Sequence, residues 1–326
     1  MPKIARIVLD GLGAPEALRW RDGALWFSDL AYGHGCVHSW VPGHPVRQVV
    51  QVPGRAGGLG WLPDGRLLVV SMDRRCVYRR EPDNSLVVHA DLAHIVGGPV
   101  NDMYVDSLGR AYAGNFGFDL YSFARGHASA ELYAPPGPPT ARIACLAPDG
   151  SLLGTSAPVL FPNGMVEIAP ETLVVAESIG LRLTEFPVGP SGVLGDARLW
   201  APLVSPTLWR LLTSDGVTGA VTRKVSALLD HPAIAKRSSS PVSPDGIALH
   251  HDGESIWVAN SLRGECVRVE RGGRVLDRVR TSQHALCCVL GGDDGRTLYI
   301  ATTPATDPAE AGRLGRGRIE LIELEP

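Results

Sequence analysis

The chain has 326 residues, of which 44% are hydrophobic and 20% are charged, and its formal net charge at pH 7 is −3. A chain of this length can bury a large core, so we expect a single domain over residues 1–326. The absence of a basic surplus argues against nucleic acid as a partner. The N-terminal stretch "MPKIARIVLDGLG" lacks the apolar core of a signal peptide, and no apolar run is long enough to span a bilayer. We therefore expect a cytoplasmic protein with no membrane partner.

Six related segments follow one another along the chain, and each has the pattern strand, polar turn, strand. The segments are "EALRWRDGALWFSD", "GLGWLPDGRLLVVS", "NDMYVDSLGRAYAGN", "NGMVEIAPETLVVAE", "DGIALHHDGESIWVAN" and "CCVLGGDDGRTLYIAT". Their turns carry the Gly, Asp and Pro of tight reversals, and a further amphipathic strand follows most of them. A repeat of roughly 43 residues built from short strands is typical of propeller blades. The sequence predicts an all-β, six-bladed β-propeller.

Three of the six cysteines occur in the same frame of this repeat, in "GCVHSW", "RCVYRR" and "ECVRVE". None of the cysteine spacings matches a metal-binding or redox motif. We expect these residues to be small hydrophobic side chains on strands, in a reducing compartment.

Two interruptions break the repeat. The proline-rich stretch "GHASAELYAPPGPPT" predicts an extended surface excursion after the third segment. Residues 201–242, between blades 4 and 5, contain "PTLWRLL" and "GAVTRKVSALLDHPAIAKR", whose apolar residues have helical spacing. We expect a partly helical insert, which would form a lid over the channel mouth or, alternatively, an assembly element. The oligomeric state is not predicted.

The first position of each segment should recur near the central channel, because the innermost strand of a blade runs beside it. These positions hold Glu16, Gly58, Asn101, Asn163, Asp245 and Cys287. Four of them carry oxygen side chains and two are small. Two carboxylates and two amides from different blades form a hard-oxygen site, which favours calcium, with magnesium, manganese and zinc as alternatives.

A simpler interpretation exists for two of these residues. Asn163 in "PNG" and Asp245 in "PDG" are typical turn formers when each is considered singly. Both precede the first strand of their segment, however, and do not link two strands. Glu16 and Asn101 occupy the same frame without a neighbouring glycine. The shared register therefore favours ligands.

Several stretches resemble the motifs of one family. They are "PEALRW", "VNDMYVDSLGRAYAGN", "FPNGM", "SPDGIALHHDGESIWVAN" and "LGGDDGRTLYIATT", extending from near residue 14 to near residue 303. They resemble the family of senescence marker protein, gluconolactonase and luciferin-regenerating enzyme, which implies a calcium-dependent lactonase-like propeller with one divalent metal in the channel. By this resemblance Glu16, Asn163 and Asp245 bind the metal, and Asn101 is a fourth ligand or a substrate contact.

The sequence departs from the family pattern at one position. Members that act on sugars often carry an arginine two residues before the "ND" asparagine, where this chain has Pro99. A bidentate clamp for hydroxyl or carboxylate groups is thus missing. Around the site we expect an apolar set, consisting of Trp20, Phe116, Phe118, Phe161 and Trp209. The expected partner is a small, fairly apolar lactone or ester.

The chemistry expected of such a site is ester hydrolysis. A metal polarises the lactone carbonyl, while a carboxylate accepts the proton of the attacking water. Asp245 is the candidate base or direct nucleophile, and Asp102 would orient it or, as we favour, anchor a loop. No GxSxG, HExxH or Walker motif is present. A phosphotriesterase-like metallohydrolase and a non-catalytic binding propeller remain as alternatives.

Overall fold

The computed structural model describes residues 3–31, 35–126, 132–133, 137–213 and 241–325. Within these residues the strands form six sheets. The first strand of each repeat contacts the first strands of the repeats before and after it, so these strands form a closed ring. The chain is therefore a six-bladed β-propeller, as predicted.

The first three blades are four-stranded antiparallel sheets. Blade 1 comprises β3 (Pro15–Arg21), β4 (Ala24–Asp29), β5 (Cys36–Trp40) and β6 (Arg47–Gln51). Blade 2 comprises β7 (Ala56–Trp61), β8 (Leu67–Ser71), β9 (Cys76–Arg80) and β10 (Leu86–Asp91). Blade 3 comprises β11 (Val100–Val105), β12 (Ala111–Asn115), β13 (Ala144–Leu146) and β14 (Leu152–Thr155).

The last three blades include both chain ends. Blade 4 comprises β15 (Pro162–Ala169), β16 (Thr172–Glu177), β17 (Arg182–Pro187) and β18 (Arg198–Pro202). Blade 5 comprises β19 (Pro244–Leu249), β20 (Ile256–Asn260), β21 (Glu265–Val269), β22 (Val275–Arg280) and β1 (Lys3–Ile4). Blade 6 comprises β23 (His284–Gly291), β24 (Thr297–Thr303), β25 (Gly317–Glu323) and β2 (Arg6–Leu12).

The N-terminal residues close the ring. Strand β2 pairs antiparallel with β25, the last strand of the chain, and β1 pairs parallel with β22. The sixth repeat supplies only three strands, so the start of the chain completes its blade. This pairing ties the two chain ends together and covers a strand edge that would otherwise be exposed. The repeat pattern had not predicted it.

The polar turns of the repeat form as their residues predict. Between β7 and β8, the amide of Leu62 donates to the carbonyl of Arg66, and Asp64 Oδ1 accepts the Arg66 amide at 3.0 Å. Gly65 closes the turn with φ 87°, a conformation that costs glycine little. The first and second strands of a blade are thereby held in a tight hairpin.

Each innermost strand contains a β-bulge near its start. The second residue of the strand is Glu16, Asn101, Asn163 or Asp245 in blades 1, 3, 4 and 5. By the strand pairing, the equivalent residues in blades 2 and 6 are Gly57 and Ala285. The sequence alignment at Gly58 and Cys287 was therefore wrong by one and two positions. Small residues still occupy both equivalent places.

The core consists of apolar clusters between and within the blades, and it includes the cysteines. Fully buried large side chains are Phe27, Tyr112, Phe186, Trp200 and Trp257. All six cysteines are free and buried, which confirms the expectation of structural thiols.

Three helices among the described residues interrupt the all-β pattern: α1 (Leu120–Gly126), α2 (Pro206–Leu212) and α3 (Pro308–Leu314). Helix α2 begins the predicted insert, and Ser205 caps it by accepting the amide of Leu208 at 3.2 Å. Residues 214–240 lie outside the described residues, so a lid or assembly role for the insert stays a prediction. None of the described helices is long and apolar enough to cross a membrane.

Candidate metal centre in the propeller channel

A cavity of about 380 Å³ lies where the innermost strands begin. Its lining includes Glu16, Asn101, Asn163 and Asp245, which come from blades 1, 3, 4 and 5. The structure thus brings all the sequence-predicted site residues to one cavity. The shared bulge explains this, because it gives the second residue of each strand the same place relative to the channel.

Glu16 is a buried carboxylate with an unused oxygen. Its Oε2 atom has no hydrogen-bond partner among the described residues. Burial, followed by the charges of Asp245 and Asp102, raises the pKa of Glu16 well above its usual range, and the charge of Arg19 opposes the shift. An unpartnered carboxylate at this depth is costly unless a proton or a cation neutralises it.

Asn163 is oriented by its neighbours. Its Nδ2 atom donates to Ser178 Oγ at 3.2 Å, and Ser178 Oγ donates in turn to the carbonyl of Pro244 at 2.6 Å. The Oδ1 atom of Asn163 is left without a partner among the described residues. Asn101 likewise has an unpartnered amide atom, Nδ2, and rotating the amide would exchange its oxygen and nitrogen.

The carboxyl group of Asp245 has a strongly raised pKa. Burial raises the pKa of Asp245 to about 8, the charge of Asp102 adds to the shift, and a hydrogen bond from Asn163 opposes it. A carboxyl group whose pKa lies near neutrality can exchange protons at working pH. The charge of Asp245 also raises the pKa of Glu16, so the two candidate carboxylates repel each other.

Asp102 is part of strand β11 and does not anchor a loop, so the favoured sequence interpretation was wrong. Its Oδ1 atom accepts from Arg19 Nη2 at 2.9 Å and from the amide of Met103 at 2.7 Å. Arg19 also donates to the carbonyls of Leu18, Leu59 and Met103. A guanidinium from blade 1 thus crosses to blades 2 and 3.

Close contact between the innermost strands depends on glycine. A Cβ atom on Gly164 would lie 2.6 Å from the amide nitrogen of Ile247, and one on Gly246 would lie 2.4 Å from Cys287 Sγ. A Cβ atom on Gly58 would lie 2.3 Å from the amide nitrogen of Met103. These glycines let the backbones of neighbouring innermost strands approach each other closely.

The upper wall of the cavity is largely apolar. Phe116 and Phe161 both line it and stack with ring centroids 4.3 Å apart, and Tyr121 and Tyr133 add further aromatic surface. Phe161 has φ 60°, a strained conformation for a bulky residue. Further apolar side chains in this lining are Leu30, Leu120, Leu132, Ile179, Leu181 and Leu212.

The expected aromatic set is only partly present in the lining. Phe118 is not among the lining residues. Its ring contacts the ring of Phe161 edge to face, with the ring centroids 6.5 Å apart. Trp20 stacks on Tyr299 at 5.1 Å inside the core between blades 1 and 6, so it does not belong to the site. Trp209 is not among the lining residues either.

Sequence reasoning missed the contribution of Tyr121 and Tyr133. The first lies in α1 and the second in the proline-rich stretch that had been expected to be a surface excursion. That expectation was wrong for Leu132 and Tyr133, which line the cavity, whereas Pro139 and Thr140 in the same stretch are exposed. An aromatic cluster between β12 and β13 was the only available signal.

The oxygen atoms of the candidate ligands are suited to bind a divalent cation. Glu16 Oε2 and Asn163 Oδ1 are buried acceptors that lack hydrogen donors among the described residues, and a cation would satisfy both. In the described part of the chain, no group of three His, Cys, Asp or Glu residues is placed to hold a metal. An ion here would therefore need amide oxygens as well as carboxylates. That mixture suits a hard cation such as calcium.

The fold and the channel define a class of protein: a six-bladed propeller whose axial cavity is lined by oxygen side chains from four blades. The profile of the SMP-30/gluconolactonase/LRE-like region matches residues 14–304. The chain therefore belongs to this family, as the sequence motifs had indicated. No curated protein matches the chain by sequence.

Solved structures share the fold at low identity. A luciferin-regenerating enzyme is 17% identical with a TM-score of 0.71, over 99% of this chain and 96% of its own. A gluconolactonase from Xanthomonas campestris is 19% identical with a TM-score of 0.64, over 100% and 97%. Regucalcin from Agrobacterium tumefaciens, a calcium-binding protein, is 17% identical with a TM-score of 0.67, over 99% and 95%.

Proposed function

We propose that this protein is a divalent-metal-dependent hydrolase that opens a lactone or a related carboxylic ester. The observation that carries the proposal is the pair of buried oxygens in the cavity that lack partners among the described residues, Glu16 Oε2 and Asn163 Oδ1. Such atoms are unfavourable in a folded protein unless a bound group satisfies them. Family membership and the calcium-binding neighbour regucalcin support the same conclusion.

Glu16, Asn163 and Asp245 would hold the ion, with Asn101 as fourth ligand or as a contact to the substrate. Calcium fits this oxygen set first, and magnesium, manganese or zinc would be accepted at similar positions. When bound, the ion supplies positive charge that polarises the ester carbonyl and stabilises the developing oxyanion.

Asp245 would carry out the proton chemistry. Its raised pKa, about 8 in the absence of a cation, makes its carboxylate a stronger base than an exposed aspartate. It would accept a proton from the water that attacks the carbonyl carbon, or attack that carbon directly. Asn163 beside it keeps the carboxylate oriented through the hydrogen bond that lowers this pKa.

The substrate would be less polar than a sugar lactone. Phe116, Phe161, Tyr121 and Tyr133 form one side of the cavity, and Pro99 stands where an arginine clamp would be expected. Aromatic and aliphatic walls bind apolar groups by removing their surface from water. Aryl or alkyl lactones are thus better candidates than gluconolactone, although the Xanthomonas neighbour is a gluconolactonase.

The test is a panel of sugar lactones, alkyl lactones, aryl esters and phosphotriesters, each assayed with calcium and after removal of metal by a chelator. We expect chelator-sensitive hydrolysis of an apolar lactone or ester, restored by adding the metal. Glu16→Gln is the matched variant, because it removes a ligand charge while keeping the side-chain size. Turnover of phosphotriesters alone would establish the phosphotriesterase alternative, and turnover that persists in chelator would overturn the metal role.

A further inference from the structure

We infer that Arg19 reduces the net negative charge of the channel site and thereby weakens the preference of the site for trivalent over divalent cations. The inference rests on the proposed metal site. It concerns a side chain that is not part of the cavity lining, and whose hydrogen-bond partners Leu18, Leu59, Asp102 and Met103 are not candidate ligands. Arg19 is therefore treated as a positioning residue that acts through Asp102.

The guanidinium of Arg19 is held in one place. Nη2 binds Asp102 Oδ1 at 2.9 Å and the Met103 carbonyl at 2.6 Å, Nε binds the Leu59 carbonyl at 3.1 Å, and Nη1 binds the Leu18 carbonyl at 2.9 Å. These partners belong to blades 1, 2 and 3. A planar guanidinium group with this many partners keeps its charge in one position.

The fixed charges at the channel can be counted. When a bound cation keeps all three carboxyl groups ionised, Glu16, Asp102 and Asp245 contribute three negative charges and Arg19 contributes one positive charge, so these four side chains sum to −2. At the cavity wall Asp307 and Arg263 add one charge of each sign and cancel. Among the residues that the structure describes, the sum at the channel is therefore −2 when a cation is bound.

The charges of Asp102 and Arg19 affect the ionisation of the candidate ligands. Asp102 raises the free energy of both candidate carboxylates in their ionised form, and Arg19 opposes this at Glu16. A cation in the cavity would experience the same fields with the opposite sign. Removing Arg19 would therefore strengthen the attraction for every cation, and it would do so more for a trivalent ion than for a divalent one.

Arg19 could instead be only a brace between blades. A brace predicts that its loss lowers stability without changing the preference among cations. The charge hypothesis predicts that a second change which restores the charge also restores the preference. The two explanations are separable because Arg19→Met makes the net charge −3, Asp102→Asn makes it −1, and the double variant returns it to −2.

The experiment measures the dissociation constants of Ca²⁺ and Tb³⁺ by calorimetry and terbium luminescence, at low ionic strength, for the wild type and these variants. We expect the Tb³⁺ preference to rise about tenfold in Arg19→Met, to fall about tenfold in Asp102→Asn, and to return to the wild-type ratio in the double variant. Arg19→Lys should keep that ratio. Arg110→Met removes a comparable arginine, paired with Asp106 at 2.5 Å in the β11–β12 turn, and should change nothing.

The experiment distinguishes failure of the Arg19 inference from failure of the proposed metal-dependent function. Equal ion ratios in the wild type, Arg19→Met and Asp102→Asn would overturn the inference while leaving the metal site intact. A wild-type protein that binds neither ion would overturn the proposed function, and the inference with it. Circular dichroism checks folding. If Arg19→Met does not fold, a lower Tb³⁺ preference in Asp102→Asn together with an unchanged ratio in Arg19→Lys still supports the inference, and equal ratios in Asp102→Asn and the wild type still overturn it.

Discussion

The side-chain amide of Asn163 and the hydroxyl of Ser178 are 3.2 Å apart, and this contact fixes which end of the amide faces the cavity. Because Nδ2 is engaged, Oδ1 is the atom left to bind a cation. Ser178 also donates to the carbonyl of Pro244, the residue before Asp245, so one hydroxyl supports candidate ligands from two blades.

Replacing Ser178 by alanine should weaken metal binding without removing a ligand. We expect the calcium dissociation constant to rise about 10- to 100-fold, as is typical when the partner that orients a ligand is lost. Isothermal titration calorimetry measures it. Ser261→Ala is the control, since Ser261 also lines the cavity but bonds to Ser243 and to no candidate ligand. Equal affinities in the two variants would show that Ser178 does not orient Asn163.

Asp245→Asn should separate binding from catalysis. The amide can still offer an oxygen to the ion, but it cannot accept the proton of the attacking water, so we expect turnover to fall about 10²- to 10⁴-fold. Steady-state kinetics on the best lactone from the panel gives the rate, and calorimetry gives the metal affinity. A near-normal rate would move the base elsewhere, with Asp102 the next residue to test.

At Phe161 the glycine variant should be more stable than the alanine variant, which is the reverse of the usual order. Because its φ is 60°, glycine should tolerate the position better than alanine, and we expect Phe161→Gly to unfold about 1 kcal/mol less easily than Phe161→Ala. Urea denaturation measures the difference. Phe186 is buried and is not in the positive-φ region, so there the alanine variant should be the more stable one. The same order at both positions would contradict the strain at Phe161.

His250 should make the protein less stable in mild acid. Burial, with the charges of Arg268 and His251, lowers the pKa of His250 to about 4 from an ordinary value of 6.5, while Asp252 and Asp277 oppose the shift. Its Nδ1 atom accepts from Trp257 Nε1 at 3.1 Å and so carries no proton.

The sign follows from the proton balance. Between pH 6.5 and about 4 the unfolded chain binds a proton at this histidine that the folded chain does not bind. The free energy of unfolding should therefore fall as the pH is lowered through this window, and His250→Gln should reduce the slope. Urea titrations at several pH values measure it. An unchanged slope in the variant would assign the acid sensitivity to other groups.

The blades and the convergence of the four candidate ligands on one cavity were predictable because each follows from a local repeat. A turn such as "LPDG", and an oxygen side chain at the second residue of a strand, can both be recognised from the sequence alone. The register failed at Gly58 and Cys287 because the equivalent residues, Gly57 and Ala285, lack the oxygen side chain that marks this position in the other four blades.

Other features depend on contacts between distant parts of the chain. Strand β2 completes blade 6 because its partner β25 lies at the opposite end of the sequence. Arg19 bonds to Asp102 in another blade, 83 residues away. Tyr121 and Tyr133 reach the cavity from a segment that has no counterpart in the other repeats. No local pattern encodes these relationships.

The most direct test of the proposed centre is a crystal structure of the protein grown with calcium. The account predicts one ion at the channel mouth, with oxygens of Glu16, Asn163 and Asp245 at about 2.3 to 2.6 Å and Asn101 as a fourth ligand or one water molecule away. A site filled only by water at saturating calcium, or an ion bound elsewhere on the propeller, would contradict it.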